Sequence, residues 1–148
     1  MKKLIRLLSV IFILTLILTG CTTSKSFIYK VQTGDSVKVK LDTSNGYNLS
    51  SDLPFTISKD NTKLSQGTFI TMDGYNQYIE LVNNDTNSKI IDSGNKNGIT
   101  YTFYTYNNSE FNYVIKINNS NTGILLGNPN SQKEAEEIFE KLTFSLEK

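Results

Sequence analysis

Apolar and polar residues alternate along the part of the chain that follows its first apolar run. Residues 36–41 (SVKVKL) place three apolar side chains on one face and two lysines on the other. Alternation with a period of two is typical of a half-buried β-strand. Residues 27–32 also alternate, and Thr33-Gly34-Asp35 between the two segments has the residue types of a tight turn. The pattern therefore predicts a β-hairpin.

The middle of the chain predicts further strands, because short runs rich in strand-forming residues alternate with polar turn residues. Asp60-Asn61 and Asp73-Gly74 mark two of the turns, and residues 83–88 form a polar loop. The strands predicted in this region are residues 55–58, 67–71, 75–82 and 89–92.

Residues 99–106 (ITYTFYTY) and 111–117 (FNYVIKI) give the clearest hairpin signal in the sequence. If residues 107–110 form a four-residue loop, Tyr104 lies opposite Tyr113 and Tyr106 lies opposite Phe111. Apolar residues occur on both faces of the two strands. The pattern therefore predicts a central hairpin that is covered at least in part on both sides.

The C-terminal region predicts one short strand, residues 123–127, and then one helix. Ser131 and Glu134 have the spacing of a capping box. The apolar stripe of the helix consists of Ala135, Ile138, Phe139 and Leu142, and residues 143–147 form a closing strand. One C-terminal helix packed on several strands predicts an α+β fold with a mostly antiparallel sheet, preceded by a signal-peptide helix. We expect one domain over residues 27–148.

The stretch from Gly98 onward resembles the closing half of Mog1/PsbP-like domains. It has a tyrosine-rich meander and a short strand, followed by a helix of the pattern A-x-x-I-F-x-x-L-x-F. The matching positions are Ala135, Ile138, Phe139, Leu142 and Phe144. The resemblance implies the same α+β arrangement and covers roughly the last third of the chain.

The first 21 residues have the layout of a secretory signal, with a basic start and an apolar run from Leu7 to Leu18. The run ends in Leu18, Thr19, Gly20 and Cys21, which resembles the bacterial lipobox. That family pattern implies cleavage before Cys21 and lipidation of its sulfur. As a helix, residues 4–18 would extend about 22 Å, short of a hydrocarbon core of roughly 30 Å. We therefore predict a signal peptide over residues 1–20 and a lipidated tether over residues 21–26.

Two short resemblances cover the first predicted hairpin. YKVQTGDSV (29–37) resembles the start of a LysM peptidoglycan-binding module, which continues as a helix, but the following residues here alternate as a strand. The spacing of Val31, Gly34 and Asp35, followed by Asn45-Gly46-Tyr47, resembles the start of chagasin-type cysteine-protease inhibitors. The later Arg-Pro-Trp motif of that family is absent, because the sequence has no Trp and its only Arg is Arg6.

Composition excludes several classes of protein. The net charge is +1 at pH 7, and Lys2, Lys3 and Arg6 belong to the predicted signal, so the remainder is slightly acidic. This balance predicts no nucleic-acid binding. There is no His and only one Cys, which removes the common catalytic triads and zinc sites. We therefore expect no enzyme activity, no metal site and no cofactor.

Tyrosine is the residue type that best fits a recognition surface, because its ring is stiff and amphipathic. The predicted binding surface consists of Tyr47, Tyr75, Tyr78, Tyr104, Tyr106 and Tyr113. We expect a monomeric lipoprotein of a low-GC Gram-positive bacterium, anchored by lipid on the extracytoplasmic face of the cell membrane. It would act as a binding or accessory module for a protein or cell-envelope ligand.

Two alternatives stay open. An inhibitor or immunity-type surface factor requires protruding loops at Gly46-Tyr47 and Asp73-Gly74. A small hydrolase requires a cleft with converging carboxylates.

Overall fold

A computed structural model describes residues 23–128 and 131–147; the predicted signal helix and the lipobox lie outside these ranges. Within them, the chain forms ten strands, two α-helices and one turn of 3-10 helix (Ser44–Gly46). In chain order the elements are β1 (Ser24–Lys30), β2 (Ser36–Asp42), β3 (Tyr47–Leu49), β4 (Phe55–Lys59), β5 (Thr62–Thr71), α1 (Met72–Asn84), β6 (Ser88–Lys96), β7 (Ile99–Tyr106), β8 (Glu110–Ile117), β9 (Thr122–Asn128), α2 (Gln132–Lys141) and β10 (Leu142–Leu146).

The strands form two sheets, and neighbouring strands run antiparallel. The smaller sheet has the order β1-β2-β10, and the larger has the order β3-β4-β5-β9-β8-β7-β6. The prediction of a mostly antiparallel β structure with a C-terminal helix is confirmed. The prediction of a single helix in the domain is wrong, because α1 is a second helix.

The two faces of the seven-stranded sheet have different environments. Side chains alternate between the faces along each strand. We call one the core face. It carries Phe55, Ile57, Ile115 and Ile124, all fully buried in a cluster with residues of the smaller sheet and α2. We call the other the open face. Helix α1 lies across part of it, and Tyr75 of this helix lies beside Gly123 near the start of β9.

Helix α1 corrects the predicted strand at residues 75–82 and the predicted turn at Asp73-Gly74. The Thr71 side chain accepts a hydrogen bond from the Gly74 N–H at 3.2 Å, which caps the helix, and Asp73 lies in the first turn. Tyr75, Ile79 and Val82 have helical spacing, and Val82 is buried. The helix therefore begins where the sequence predicted a turn.

The register of β7 with β8 differs by one residue from the predicted register. Tyr104 pairs with Asn112, and Tyr106 pairs with Glu110. The connection has three residues, and Asn107 and Asn108 in it both adopt positive φ. Because successive side chains point to opposite faces, this shift moves Tyr113 to the face opposite Tyr104.

The Thr33-Gly34-Asp35 turn joins β1 to β2 as predicted, with Gly34 at φ +89°. The Asp35 carboxylate accepts hydrogen bonds from the Thr122 hydroxyl at 2.7 Å and from the Asn121 N–H at 3.2 Å. Thr122 is fully buried at the start of β9. The turn therefore ties the small sheet to the large one. The segment that would be helical in a LysM module is strand β2.

β1 begins at Ser24, before the predicted start at residue 27, so residues 24–26 of the predicted tether belong to the small sheet. A backbone hydrogen bond holds the start of β1 in this sheet: the Thr43 N–H donates to the Thr23 carbonyl at 2.9 Å. Lys25 also donates to the Asn48 side chain at 2.9 Å. The folded domain therefore starts directly after the position of the lipobox.

Helix α2 matches its prediction closely. The Ser131 side chain accepts a hydrogen bond from the Glu134 N–H at 3.2 Å. The four residues of the predicted apolar stripe, Ala135, Ile138, Phe139 and Leu142, are all buried. Phe139 stacks on Tyr113 with ring centroids 4.1 Å apart, and Tyr113 stacks on Phe103 at 4.2 Å. This aromatic stack fixes α2 on the core face.

Candidate binding cleft

The open face contains a cleft of about 360 Å³ beside helix α1. Tyr78 of α1 forms one wall, and Tyr104 and Tyr106 of β7 form another. Thr68 of β5 and Asn112 of β8 contribute polar groups. Four of the six predicted tyrosines therefore border one site, Tyr113 of β8 among them, although they come from a helix and two strands.

The cleft exists because α1 covers only part of the open face. The helix follows β5 directly at Thr71 and ends at Asn84, just before β6. Gly127 in β9 also keeps the floor low, since it has no side chain. A Cβ atom at Gly127 would meet only the Asn112 Oδ1 atom, at 3.2 Å. The missing side chain leaves room for a ligand group above β8 and β9.

The polar groups of the cleft are two amides, one threonine hydroxyl and one carboxylate. Gln66 and Asn112 supply the amides, and Glu110 supplies the carboxylate. No lysine occurs among the described residues that line the cleft. Burial raises the pKa of Tyr104, and the nearby Tyr78 and Glu110 raise it further. Tyr104 therefore presents a neutral phenol over the physiological pH range.

A second depression of about 440 Å³ adjoins the cleft and shares Gln66, Glu110, Asn112 and Gly127 with it. Lys63 lies at its far end and donates a hydrogen bond to the Gln66 side chain. The cleft therefore has an aromatic part beside α1, whose described lining has no lysine, and it continues into an extension along β5 that includes Lys63.

Of the other predicted tyrosines, Tyr113 borders the cleft on β8, whereas Tyr47 and Tyr75 are not among its lining residues. Tyr75 lies on α1, half-buried against Gly123, and burial raises its pKa. Tyr113 is only 4% exposed and belongs to the aromatic stack of the core face. The prediction that the rings of Tyr104, Tyr106 and Tyr113 form one surface is therefore wrong, because the shift in register places the Tyr113 ring on the opposite face of the sheet.

Tyr47 is also a core residue rather than a surface residue. It is 4% exposed, and the ammonium groups of Lys59 and Lys141 each lie 5.0 Å from its ring centroid. Burial and a hydrogen bond to Glu137 raise the pKa of Tyr47. Its cation–π contacts and its buried position give it a structural role.

The loops that the inhibitor alternative requires are not formed at the predicted places. Asp73 and Gly74 lie in the first turn of α1. Gly46 closes a short 3-10 turn against the Asp60 side chain, and Tyr47 after it is buried. The chagasin-like spacing therefore corresponds to a packed turn at this point.

The described lining of the cleft contains a single carboxylate. Glu110 is the one carboxylate among the described lining residues, whereas hydrolysis by paired carboxylates requires two. Within residues 23–128 and 131–147, no group of three or more His, Cys, Asp or Glu side chains is placed to hold a metal ion. None of the helices in the same ranges is both long enough and apolar enough to cross a membrane.

No protein-family model matches the chain, and neither does any curated protein or any solved structure. The Mog1/PsbP-like, LysM and chagasin-like resemblances therefore rest on their sequence patterns.

Four polar residues of the cleft, Gln66, Thr68, Glu110 and Asn112, were absent from the predicted site. The sequence carries a partial signal for Asn112. It lies between the apolar residues Phe111 and Tyr113, so its side chain must point to the face of the strand opposite theirs. The signal becomes useful only when the register of β7 with β8 is known, since the register decides which tyrosines share its face.

Proposed function

We propose that this protein is a lipid-anchored binding module that presents its cleft to a ligand outside the cytoplasmic membrane. The anchor is supported by the apolar segment that ends in Leu18-Thr19-Gly20-Cys21. The start of β1 at Ser24 fits this arrangement, because the folded domain would follow the lipidated residue after a very short tether.

The observation that carries the binding role is the meeting of Tyr78, Tyr104 and Tyr106 at the open-face cleft. Tyrosine rings offer flat apolar surface with a polar edge, and the amides of Gln66 and Asn112 offer donors and acceptors beside them. A carboxylate without a lysine in the lining favours a neutral or cationic group over an anion. The ligand would be a protein or cell-envelope component that presents such a group.

The site can be tested by photocrosslinking on intact cells. A benzophenone amino acid replaces Tyr106 in one variant and Ile28 in a control. Ile28 is 57% exposed on the small sheet, which packs against the core face and therefore lies away from the cleft. We expect a discrete adduct from position 106 that does not form from position 28. Equal adducts from both positions would contradict the cleft as the binding site.

A second variant tests whether the ligand needs the open space at the floor of the cleft. Gly127→Leu fills the floor, and its Cβ meets only the flexible Asn112 side chain. We expect Gly127→Leu to reduce the adduct at position 106 by about tenfold, which corresponds to roughly 1.4 kcal/mol of binding free energy. An unchanged adduct yield in a folded variant would place the ligand elsewhere.

The anchor has its own test. Cys21→Ala removes the acyl acceptor, so we expect the protein to leave the membrane fraction, because acyl chains supply stable anchoring. If the variant stays in the membrane fraction and has the same mass as the parent protein, apart from the substitution itself, the lipobox assignment is wrong. The result does not depend on the cleft experiment, so the two parts of the proposal can fail separately.

A further inference from the structure

One stretch of strand β5 lacks a neighbour on one side. β9 pairs with β5 from Gln66 to Thr71, whereas β4 pairs with it only as far as Gly67. Within the described residues, no strand pairs with residues 68–71 on the side away from β9. An unpaired strand edge presents backbone N–H and C=O groups that can accept an added strand.

The gap arises because the β3–β4 hairpin is shorter than β5. The Ser50 N–H donates to the Thr56 carbonyl at 3.0 Å, and the Thr56 N–H donates to the Ser50 hydroxyl oxygen at 2.8 Å. These bonds close the hairpin, and residues 51–54 bend outside it without strand structure. β5 therefore continues past the end of its neighbour.

A groove of about 240 Å³ lies along this edge; we call it the β5 slot. Its walls are residues 30–33 at the tip of the β1–β2 hairpin, residues 68–71 of β5, and Leu53. Leu53 is 53% exposed, so its side chain is accessible to an occupant of the groove. Phe69 contacts the rings of Tyr29 and Phe55 at centroid distances of 5.5 and 5.8 Å, so the slot has an aromatic base.

The tip of the β1–β2 hairpin does not use the open edge of β5. The Val31 N–H donates to the Asp35 carbonyl at 3.1 Å, and the Val31 carbonyl accepts from the Gly34 N–H at 3.0 Å. Both backbone groups of Val31 are therefore engaged in their own turn. The edge of β5 and the tip of the β1–β2 hairpin therefore form two separate walls of the β5 slot.

We propose that the β5 slot binds an extended peptide segment of a partner protein, which adds a short strand to β5 at residues 68–71. Backbone hydrogen bonds to the edge would hold the segment, and alternate side chains would lie against Leu53 and Phe69. Lys30 is the one charged residue among the described residues of the lining, so a segment that carries a carboxylate is favoured.

The length of the slot selects this occupant. Four residues of strand extend about 13 Å, which suits a short linear segment better than the edge of a second sheet. A second copy of this chain would have to bring a longer edge, such as the nine-residue β6, against the short open stretch of β5. The slot and the open-face cleft share Thr68 but no other lining residue.

The test begins with a displayed library of random seven-residue peptides, selected on the full chain purified in mild detergent. Leu53→Asp is kept out of the selection and is used afterwards as the test variant, and Ile28→Asp serves as a matched control at an apolar residue of similar exposure. We expect enriched peptides with alternating β-branched or aromatic residues and one acidic residue. Their binding should weaken on Leu53→Asp and on Lys30→Glu, and should not change on Ile28→Asp.

An enriched peptide is then synthesised with and without N-methyl groups on alternate residues. We expect N-methylation in one of the two alternating registers to weaken binding by about tenfold, since it removes about two backbone hydrogen bonds of roughly 0.5–1.5 kcal/mol each. The unmodified peptide should also slow hydrogen exchange of backbone amides within residues 68–71, measured by NMR.

Three results would overturn the proposal: no enrichment, equal binding of both N-methylated registers and the unmodified peptide, or enriched peptides that bind Leu53→Asp as well as the parent chain. Tyr104→Ala and Tyr106→Ala should leave this binding unchanged, because neither residue lines the slot. The slot and the cleft can therefore fail independently.

Discussion

At the scale of single residues, the tyrosines show that location decides the role of a side chain. Tyr104 and Tyr113 lie on neighbouring strands of one hairpin, but Tyr104 lines the cleft and Tyr113 stacks in the core. Burial raises the pKa of both phenols. The residue type alone therefore does not distinguish a tyrosine that lines a binding site from one that packs in the core, because the strand register decides which face its ring occupies.

Phe139 should be one of the most costly residues to truncate. It is 5% exposed and lies between Tyr113 and Tyr101, at centroid distances of 4.1 and 4.9 Å. We expect Phe139→Ala to lower the free energy of unfolding by about 3–5 kcal/mol in a urea titration. That is a large share of the roughly 5–15 kcal/mol typical of a domain.

The control for this variant is Lys133→Ala, because Lys133 is exposed on the same helix. Glu137 is a poorer control, because it has a hydrogen bond with Tyr47 and its substitution would itself change the stability. If Phe139→Ala and Lys133→Ala had the same small effect, helix α2 would not be docked on the core face.

At the scale of elements, alternation predicted the strands of the two clearest hairpins but not helix α1. Residues 75–82 contain Tyr75, Tyr78 and Ile79, which favour strands by intrinsic propensity. The spacing of Tyr75, Ile79 and Val82 and the capping residue Thr71 favour a helix, and the tertiary contacts with β9 decide between them. The predicted register of β7 with β8 was wrong by one residue, because the pattern does not distinguish a three-residue turn from a four-residue turn, and the Tyr113 ring was therefore predicted on the same face as Tyr104.

The docking of α1 depends on a small residue beneath it. A Cβ atom at Gly123 would meet the Ile115 carbonyl oxygen at 3.1 Å, and Ile70 and Tyr75 at 3.0 and 3.2 Å. We expect Gly123→Ala to lower the free energy of unfolding by about 1–3 kcal/mol, because the backbone atom cannot move aside cheaply.

Gly127→Ala is the matched control on the same strand and the same face. It meets only the Asn112 side chain, and it reduces the entropy of the unfolded chain, so we expect a change within about 1 kcal/mol of zero, in either direction. Urea titration of both variants decides the matter. A Gly123→Ala variant as stable as Gly127→Ala would mean that α1 does not pack closely on β9.

At the scale of the whole molecule, the sequence did not predict that ten strands divide between two sheets. Periodicity identifies a strand but does not name its partner. β10 shows this clearly, because it follows α2 directly and yet pairs with β2 rather than with β9, the strand that precedes the helix. The contacts between the sheets, such as the bonds of Asp35 with Thr122, could be found only in the fold.

The buried phenols give the whole domain a distinct response to alkali. Burial, with a smaller effect of Asp52, raises the pKa of Tyr29 to about 12, and burial also raises the pKa of Tyr47, Tyr104 and Tyr113. In the unfolded chain these groups ionise near pH 10. The stability that the burial of Tyr29 contributes should therefore be complete below pH 10 and fall between pH 10 and pH 12, because in that range this phenol loses its proton mainly in the unfolded state; the other three phenols act in the same direction.

The expected slope is up to about 1.4 kcal/mol per pH unit for each tyrosine that stays protonated in the fold. Urea titrations at pH 8, 10 and 11 measure the loss directly, and near-ultraviolet absorbance follows the phenolates. A free energy of unfolding that does not change from pH 8 to pH 11 would contradict the burial of these rings.

The pairing of β2 with β10 also affects when the protein can fold. Leu41 pairs with Leu142, and the Glu147 N–H donates to the Ser36 carbonyl at 2.9 Å, so the small sheet joins the first and last parts of the domain. Contacts between distant parts of a chain form late, since the loop between them must close first. A nascent chain would lack β10, and with it the third strand of the smaller sheet, until residues 142–146 had been synthesised. The smaller sheet, and the contacts that it makes with the core face, would therefore be completed late in folding.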